Sequence, residues 1–272
     1  MKEFIKKNKT IILGITAIVL FAMCAAIVNS NDGETVTTSS SELSSKKIEW
    51  GIKRNDNHEQ PDLGAVNKRI IDQQNGIAMG NSESKKVYLT FDNGYEAGYT
   101  EKILEVLKQN EVTATFFVTA HYVNSASDLV QRMIDEGHII GNHTVNHKSM
   151  PSLTTEQIKS EVMDLHTAVY NKFGYEMKYL RPPKGEYSEK SVAYCNTLGY
   201  TTVMWSFAYD DWDENKQGRE EYGKSKILDN IHNGAVILLH ATSKDNSNIL
   251  DYCIKEIKNM GYTFASLDDF ER

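Results

Sequence analysis

The sequence predicts an α/β fold of about seven parallel βα units, with its chemistry gathered at one edge of the sheet. From Val87 onward, short apolar runs alternate with stretches of helical spacing to the end of the chain. The helical stretches stop at or just before a glycine (Gly137, Gly174, Gly199, Gly234, Gly261), and an apolar run follows each time, as left-handed caps before a strand would read. The third observation is where the reactive residues stand. Asp92-Asn93, His143 to His147, Arg181, Asp211-Trp212 and His240 each lie at or just after the end of an apolar run. Parallel α/β sheets keep their ligand-binding groups at the carboxyl ends of their strands.

In chain order, Lys2, Lys6, Lys7 and Lys9 precede an uncharged apolar run from Ile11 to Val28. A positive flank and a run long enough to span a bilayer predict a membrane anchor over 1–30, with the rest exported. Small residues at Ala25-Ala26 and Asn29-Ser30 leave a cleaved signal peptide as the alternative. Residues 31–46 are rich in Ser, Thr and Glu and nearly devoid of apolar side chains, so they read as a flexible linker. A collar segment, 47–86, carries Ile48, Trp50, His58 and a helical pattern at Val66, Ile70 and Ile71. The main domain is 87–272. Its first strand runs from Val87 toward Asp92, a helix spans 100–110 and a strand spans 114–119. Ser127 is an expected N-cap, and His138 to His143 is the next strand. Thr154 and Gln157 form an expected capping box. Tyr179-Leu180 leads into Arg181, a helix starts near Ser188, and Tyr200 to Ser206 is strand. Ala235 to His240 is strand, and after one more helix Tyr262 to Ser266 closes the series.

A charged fraction of 25% and a net charge of -7 exclude nucleic acid as an expected partner. Three cysteines show no CxxC spacing; Cys195 and Cys253 read as small buried apolar residues. His143 and His147 lie four apart, so on one helical turn both imidazoles would face one divalent metal. The other histidines of this domain and the collar (His58, His121, His138, His166, His232) have no partner at ligand spacing and read as structural. Asp92 is either the cap of the following turn or a proton acceptor. Arg181 is a solvated strand-end cation or, locked by Pro182 and Pro183 and followed by Gly185, a residue held to orient a carboxylate. His240 is a core histidine or a proton donor. Trp212 is packing or an apolar wall for a small acyl group.

Together these residues resemble the polysaccharide deacetylases with a NodB-homology domain. That family's motifs run in this order, and here they stand as Thr90-Phe91-Asp92-Asn93-Gly94, His143-Thr144-Val145-Asn146-His147, Arg181-Pro182-Pro183-Lys184-Gly185, Asp211-Trp212 and Leu238-Leu239-His240. The match covers about Val87 to Phe270. The resemblance implies a distorted, incomplete (β/α) barrel and metal-dependent hydrolysis of an N-acetyl group on a glycan. It implies a divalent ion, zinc by preference, held by His143, His147 and Asn93. Asp92 would be the base, Arg181 its orienting partner and His240 the acid. Tyr95, Pro183, Gly185, Trp212 and Leu238 would meet the substrate.

Asn93 departs from the pattern, standing where most of the family has a second aspartate. A neutral amide is a weaker donor, so metal affinity should fall. The same substitution within Phe91 to Glu96, with Trp50-Gly51, Asn57-His58, Ile139 to His143 and Ser243 to Asn246, resembles a particular branch. That branch deacetylates N-acetylmuramic acid on the way to muramic δ-lactam in spore cortex. The implied partner is the glycan strand of peptidoglycan, met on the extracytoplasmic side by a monomeric catalytic domain. A deacetylase of N-acetylglucosamine or another polysaccharide would share every motif. A silent, membrane-tethered glycan-binding module draws support only from Asn93, and it has no use for Asp92 and His240 together.

Overall fold

The centre of the sheet is β2 (Lys86–Asn93), buried along its length after Lys86. It pairs in parallel with β3 (Thr115–Val118) on one side and β8 (Val236–His240) on the other. Beyond β3 follow β4 (Ile139–Asn142), β5 (Tyr179–Leu180) and β7 (Thr201–Thr202), all parallel, and β9 (Thr263–Phe264) pairs with the start of β2. The structure, a computed structural model, describes residues 43–272. The expected anchor and most of the expected linker lie outside the described residues. Among the described residues no helix is long and apolar enough to cross a membrane.

The run expected as strand from Tyr200 to Ser206 is regular over two residues only. Its start pairs with β5, while its continuation reaches the opposite edge, where Phe207 bridges Ile237 of β8 in parallel. A segment that must join both edges bends out of regular pairing, and in doing so it curls the sheet into a distorted barrel. The two-residue period of the strands then sorts the core. Tyr88, Phe117, Ile139, Tyr179 and Val236 fill the inside. Phe91, Phe116, Val118, Ile140 and Leu239 face the helical layer. Gly141 has to be glycine, because a Cβ there would stand 2.4 Å from the Phe117 ring.

Outside the sheet lie α1 (Ala65–Gln73), α2 (Thr100–Gln109), α3 (Ala120–Ser125), α4 (Ser127–Asp135), α5 (Thr155–Phe173), α6 (Glu189–Thr197), α7 (Glu220–Asp229) and α8 (Lys244–Asn259). The capping box at Thr154 and Gln157 forms as expected, and Gly174 ends α5 with a left-handed φ of 67°. Ser127 is not a cap. The chain makes an extra turn, α3, capped by the Thr119 side chain, and Ser127 is already helical. The collar adds β1 (Ile48–Glu49), antiparallel to β6 (Glu186–Tyr187), and the Trp50 indole N–H donates to Trp205 O at 2.9 Å. It thus braces the loop that follows Arg181. Cys195 and Cys253 are buried free thiols whose pKa values burial pushes up to about 12.

Candidate active site

The carboxyl ends of β2, β4, β5 and β8 surround a cavity of about 1010 Å³. Its base is an ion pair. Arg181, fully buried, donates from Nη1 to Asp92 Oδ1 at 2.9 Å, and from Nε and Nη2 to the carbonyls of Val203 and Met204, each at 3.2 Å. Its guanidinium also lies 4.2 Å from the centre of the Phe117 ring. Burial by itself would raise the Asp92 carboxyl, but Arg181, together with His143 and His240, outweighs it and holds the group below the usual carboxylate range. Asp92 is therefore ionised, with Oδ2 turned toward the cavity.

His143 follows directly on β4. Its Nδ1 lies 2.8 Å from Arg181 O, an oxygen that can only accept, so Nδ1 carries the proton and Nε2 presents a lone pair. That Nε2 stands 3.5 Å from Asp92 Oδ2 and 3.1 Å from His147 Nε2. Burial pushes both imidazoles toward the neutral form, His147 to a pKa of about 4. The expected helical turn is absent. His143 to His147 is a loop in which Thr144 and His147 take left-handed φ values of 69° and 54°. The rings converge because the backbone is bent, not because of helical spacing.

Across the cavity, His240 ends β8. Asp211 binds it twice: Oδ1 is 2.7 Å from His240 Nδ1 and Oδ2 accepts from His240 N at 2.8 Å. Asn246 Nδ2 donates to Asp211 Oδ2 at 2.6 Å, and the Tyr209 hydroxyl donates to Asn246 Oδ1. Burial pulls the His240 pKa down, yet the Asp211 carboxylate overrides it and leaves the ring above its ordinary value. Sequence reasoning singled out the Asp211-Trp212 pair without giving Asp211 a task. A strand-end histidine in need of a partner was the signal that could have assigned it.

Tyr95, Gly185, Trp212 and Leu238 line the cavity. Trp212 is 60% exposed, which rules out plain packing. Gly185 has a φ of 66°, and a Cβ there would lie 2.8 Å from Trp205. Two expected residues do not line the cavity. Pro183 is buried beneath the loop that presents Lys184 and Gly185 in its stead. Asn93 is fully buried beside Tyr122, on the face of β2 opposite Asp92, as strand alternation requires. Neither of its side-chain amide atoms has a hydrogen-bond partner. His121, expected to be structural, does line the cavity, and so does Lys184, the one Lys or Arg of the lining.

These residues fit a divalent ion. Two bonds of about 2.0–2.1 Å at a tetrahedral angle place two imidazole nitrogens roughly 3.3 Å apart, close to the 3.1 Å found here. The backbone carbonyl behind His143 fixes its tautomer, the usual support for a ligating imidazole. The described residues hold no group of three or more His, Cys, Asp or Glu placed to bind an ion.

A barrel with a buried carboxylate, an imidazole pair and an Asp211-held histidine at one edge is the arrangement of the metal-dependent glycan deacetylases. A family profile for polysaccharide deacetylases matches residues 79–203. The chain is 45% identical over 223 residues to the peptidoglycan-N-acetylmuramic acid deacetylase PdaA of Bacillus subtilis, covering 82% of this chain and 85% of that one. It belongs to the polysaccharide deacetylase family, carbohydrate esterase family 4, and is a hydrolase. The structure of B. subtilis PdaA superposes with a TM-score of 0.82 at 44% identity, covering 84% of this chain and 98% of that one. A family 4 carbohydrate esterase from Bacillus anthracis gives a TM-score of 0.71 at 39% identity, covering 84% and 97%. A peptidoglycan-N-acetylglucosamine deacetylase of Bacillus cereus is 31% identical, over 69% of each chain.

Proposed function

We propose that the chain hydrolyses the N-acetyl group of N-acetylmuramic acid in peptidoglycan, on the way to muramic δ-lactam in spore cortex. One observation carries the chemistry: a carboxylate paired with Arg181 and a histidine paired with Asp211 face each other across one cavity. Environments that push two titratable groups apart in this way assign the base and the acid. The preference for muramic acid draws on the relative named for it and on Asn93. It also draws on Lys184, an exposed cation in the lining that suits a sugar carrying a lactyl carboxyl.

His143 and His147 would hold the ion with water beside them, since Asn93 lies on the far face of β2. When bound, a divalent ion, zinc by preference for imidazole donors, polarises the acetyl carbonyl and acidifies the attacking water. Asp92 accepts the proton that water loses as it adds to the carbonyl carbon, and Arg181 keeps Asp92 charged and aimed until then. His240 gives its proton to the amide nitrogen as the C–N bond breaks, since an amide anion is too poor a leaving group to depart unprotonated. Asp211 holds the ring in place and stabilises its cationic form. Trp212 and Leu238 flank the acetyl methyl group. Acetate and a free amine leave, and a neighbouring lactyl carboxyl can then close on that amine.

The domain would work as a monomer outside the cytoplasmic membrane, tethered there by residues 1–30. The test is mass spectrometry of muropeptides from purified glycan strands incubated with the protein and zinc. Acetyl loss from muramic acid is the expected result. Loss confined to glucosamine would place the chain with the N-acetylglucosamine deacetylases. No loss at all, from protein that binds the strands, would leave a glycan-binding module.

A further inference from the structure

Glu161 lies in the second turn of α5 and is 5% exposed, an uncommon position for a carboxylate that touches no reacting group. All of its side-chain bonds run to one loop. Oε2 accepts from Asn146 N at 2.7 Å, and Oε1 accepts from Asn146 Nδ2 at 2.8 Å and from Lys148 Nζ at 3.1 Å. Its backbone carbonyl accepts from Val145 N at 3.0 Å.

That loop joins His143 to His147, and it is unfavourable by itself. Thr144 and His147 occupy left-handed backbone conformations, which residues with a Cβ keep only when the surroundings impose them. The other ties are short-range: Thr144 N donates to Asn142 Oδ1 at 2.9 Å, and His147 N to Thr144 Oγ1 at 3.1 Å. They shape the loop without fastening its far half to the fold. Glu161 does that, from a helix that also takes the Asn142 amide at Val162 O, 2.8 Å away.

We infer that Glu161 is the positioning residue of the two-histidine centre: it clamps the 144–148 loop so that His147 Nε2 is brought to His143 Nε2. This rests on the reading of those histidines as ligands of a divalent ion. The carboxylate never touches the ion. It acts through Asn146 and the backbone, so its effect falls on how well the second imidazole is preorganised.

The bond pattern supplies the test. Both Asn146 groups are donors, so the two carboxylate oxygens satisfy both. Glu161→Gln keeps the size but replaces one acceptor with a donor that opposes Asn146. Adding Asn146→Asp lets the new amide donate to the new carboxylate and restores both bonds. Zinc titration calorimetry on full-length protein stripped with a chelator, with melting temperatures alongside, reads the outcome. Glu161→Gln should weaken zinc binding about tenfold, the low end for groups behind the ligands, and the double variant should regain most of it. Unchanged zinc affinity in folded Glu161→Gln would overturn the inference. So would a double variant that melts like the parent yet regains none of the affinity. His143→Ala is the control for the underlying reading. If it binds zinc as the parent does, the two-histidine centre itself is wrong and the inference falls with it.

Discussion

Arg181 serves both halves of the site from one buried position. Its guanidinium pairs with Asp92, and its carbonyl oxygen takes the His143 Nδ1 proton. Arg181→Met removes only the first function. An unpaired buried carboxylate should then cost about 3–5 kcal/mol of stability and become protonated at higher pH. Activity should be lost at neutral pH while zinc binding by His143 persists, as calorimetry can check. The pH profile follows from the same geometry. Asp92 works ionised with a lowered pKa, so its activity is lost only as pH falls through that lowered value. His240 works protonated with a raised pKa, so activity is lost as pH rises through a value above the usual one for histidine. Asp211→Asn removes the charge that raises it, burial then prevails, and the alkaline limb of kcat should move to lower pH. A limb that stays in place would mean that His240 is not the proton donor. Asn93 bears on stability alone. Each unbonded buried amide group costs about 1–3 kcal/mol, so Asn93→Leu should raise the melting temperature and leave zinc affinity near that of the parent. Lost zinc affinity in that variant would put Asn93 in the ligand set.

Among the elements, Gly141 on β4 is the tightest point. Gly141→Ala forces Phe117 aside, which should cost about 1–3 kcal/mol by overpacking, read as a lower melting temperature. It should also lower kcat, because Arg181 rests on that ring. The strands with long apolar runs and the helices with glycine stops were legible in the sequence, since periodicity and caps act locally. The capping box at Thr154 was equally plain. The turn α3 was not, because Thr119 had been counted with the strand before it. The bend after Thr201 was hidden too, as it answers to barrel closure, a constraint that no local pattern records. The closeness of His143 and His147 has another cause than the one their spacing suggests. Their spacing suggested a helix, whereas a strained loop held by α5 brings the rings together. Asn93 was expected at the metal and Pro183 at the substrate because their motifs reach them. Alternation along β2 and the turn after Arg181 aim them elsewhere.

At the scale of the whole molecule, the collar belongs to the domain. Ser44 reaches α6, where its carbonyl accepts from Lys190 N at 3.1 Å, so contacts with the domain include residues before the expected boundary at 47. A fragment starting at Leu43 should fold and deacetylate without residues 1–30, with a melting temperature equal to that of the full chain. A fragment starting at Lys47 should melt slightly lower. An insoluble Leu43 fragment would count against treating the N-terminal segment as a tether alone. The central claim divides the labour at the cavity: His143 and His147 for the ion, Asp92 for the proton. Zinc titration and acetate release, measured on the same samples of parent, Asp92→Asn and His143→Ala, test it most directly. Asp92→Asn should keep zinc affinity near that of the parent while losing roughly 10²–10⁴-fold in rate, and His143→Ala should lose both. An Asp92→Asn protein that no longer binds zinc would make Asp92 a ligand, and the proton acceptor would then have to be another residue.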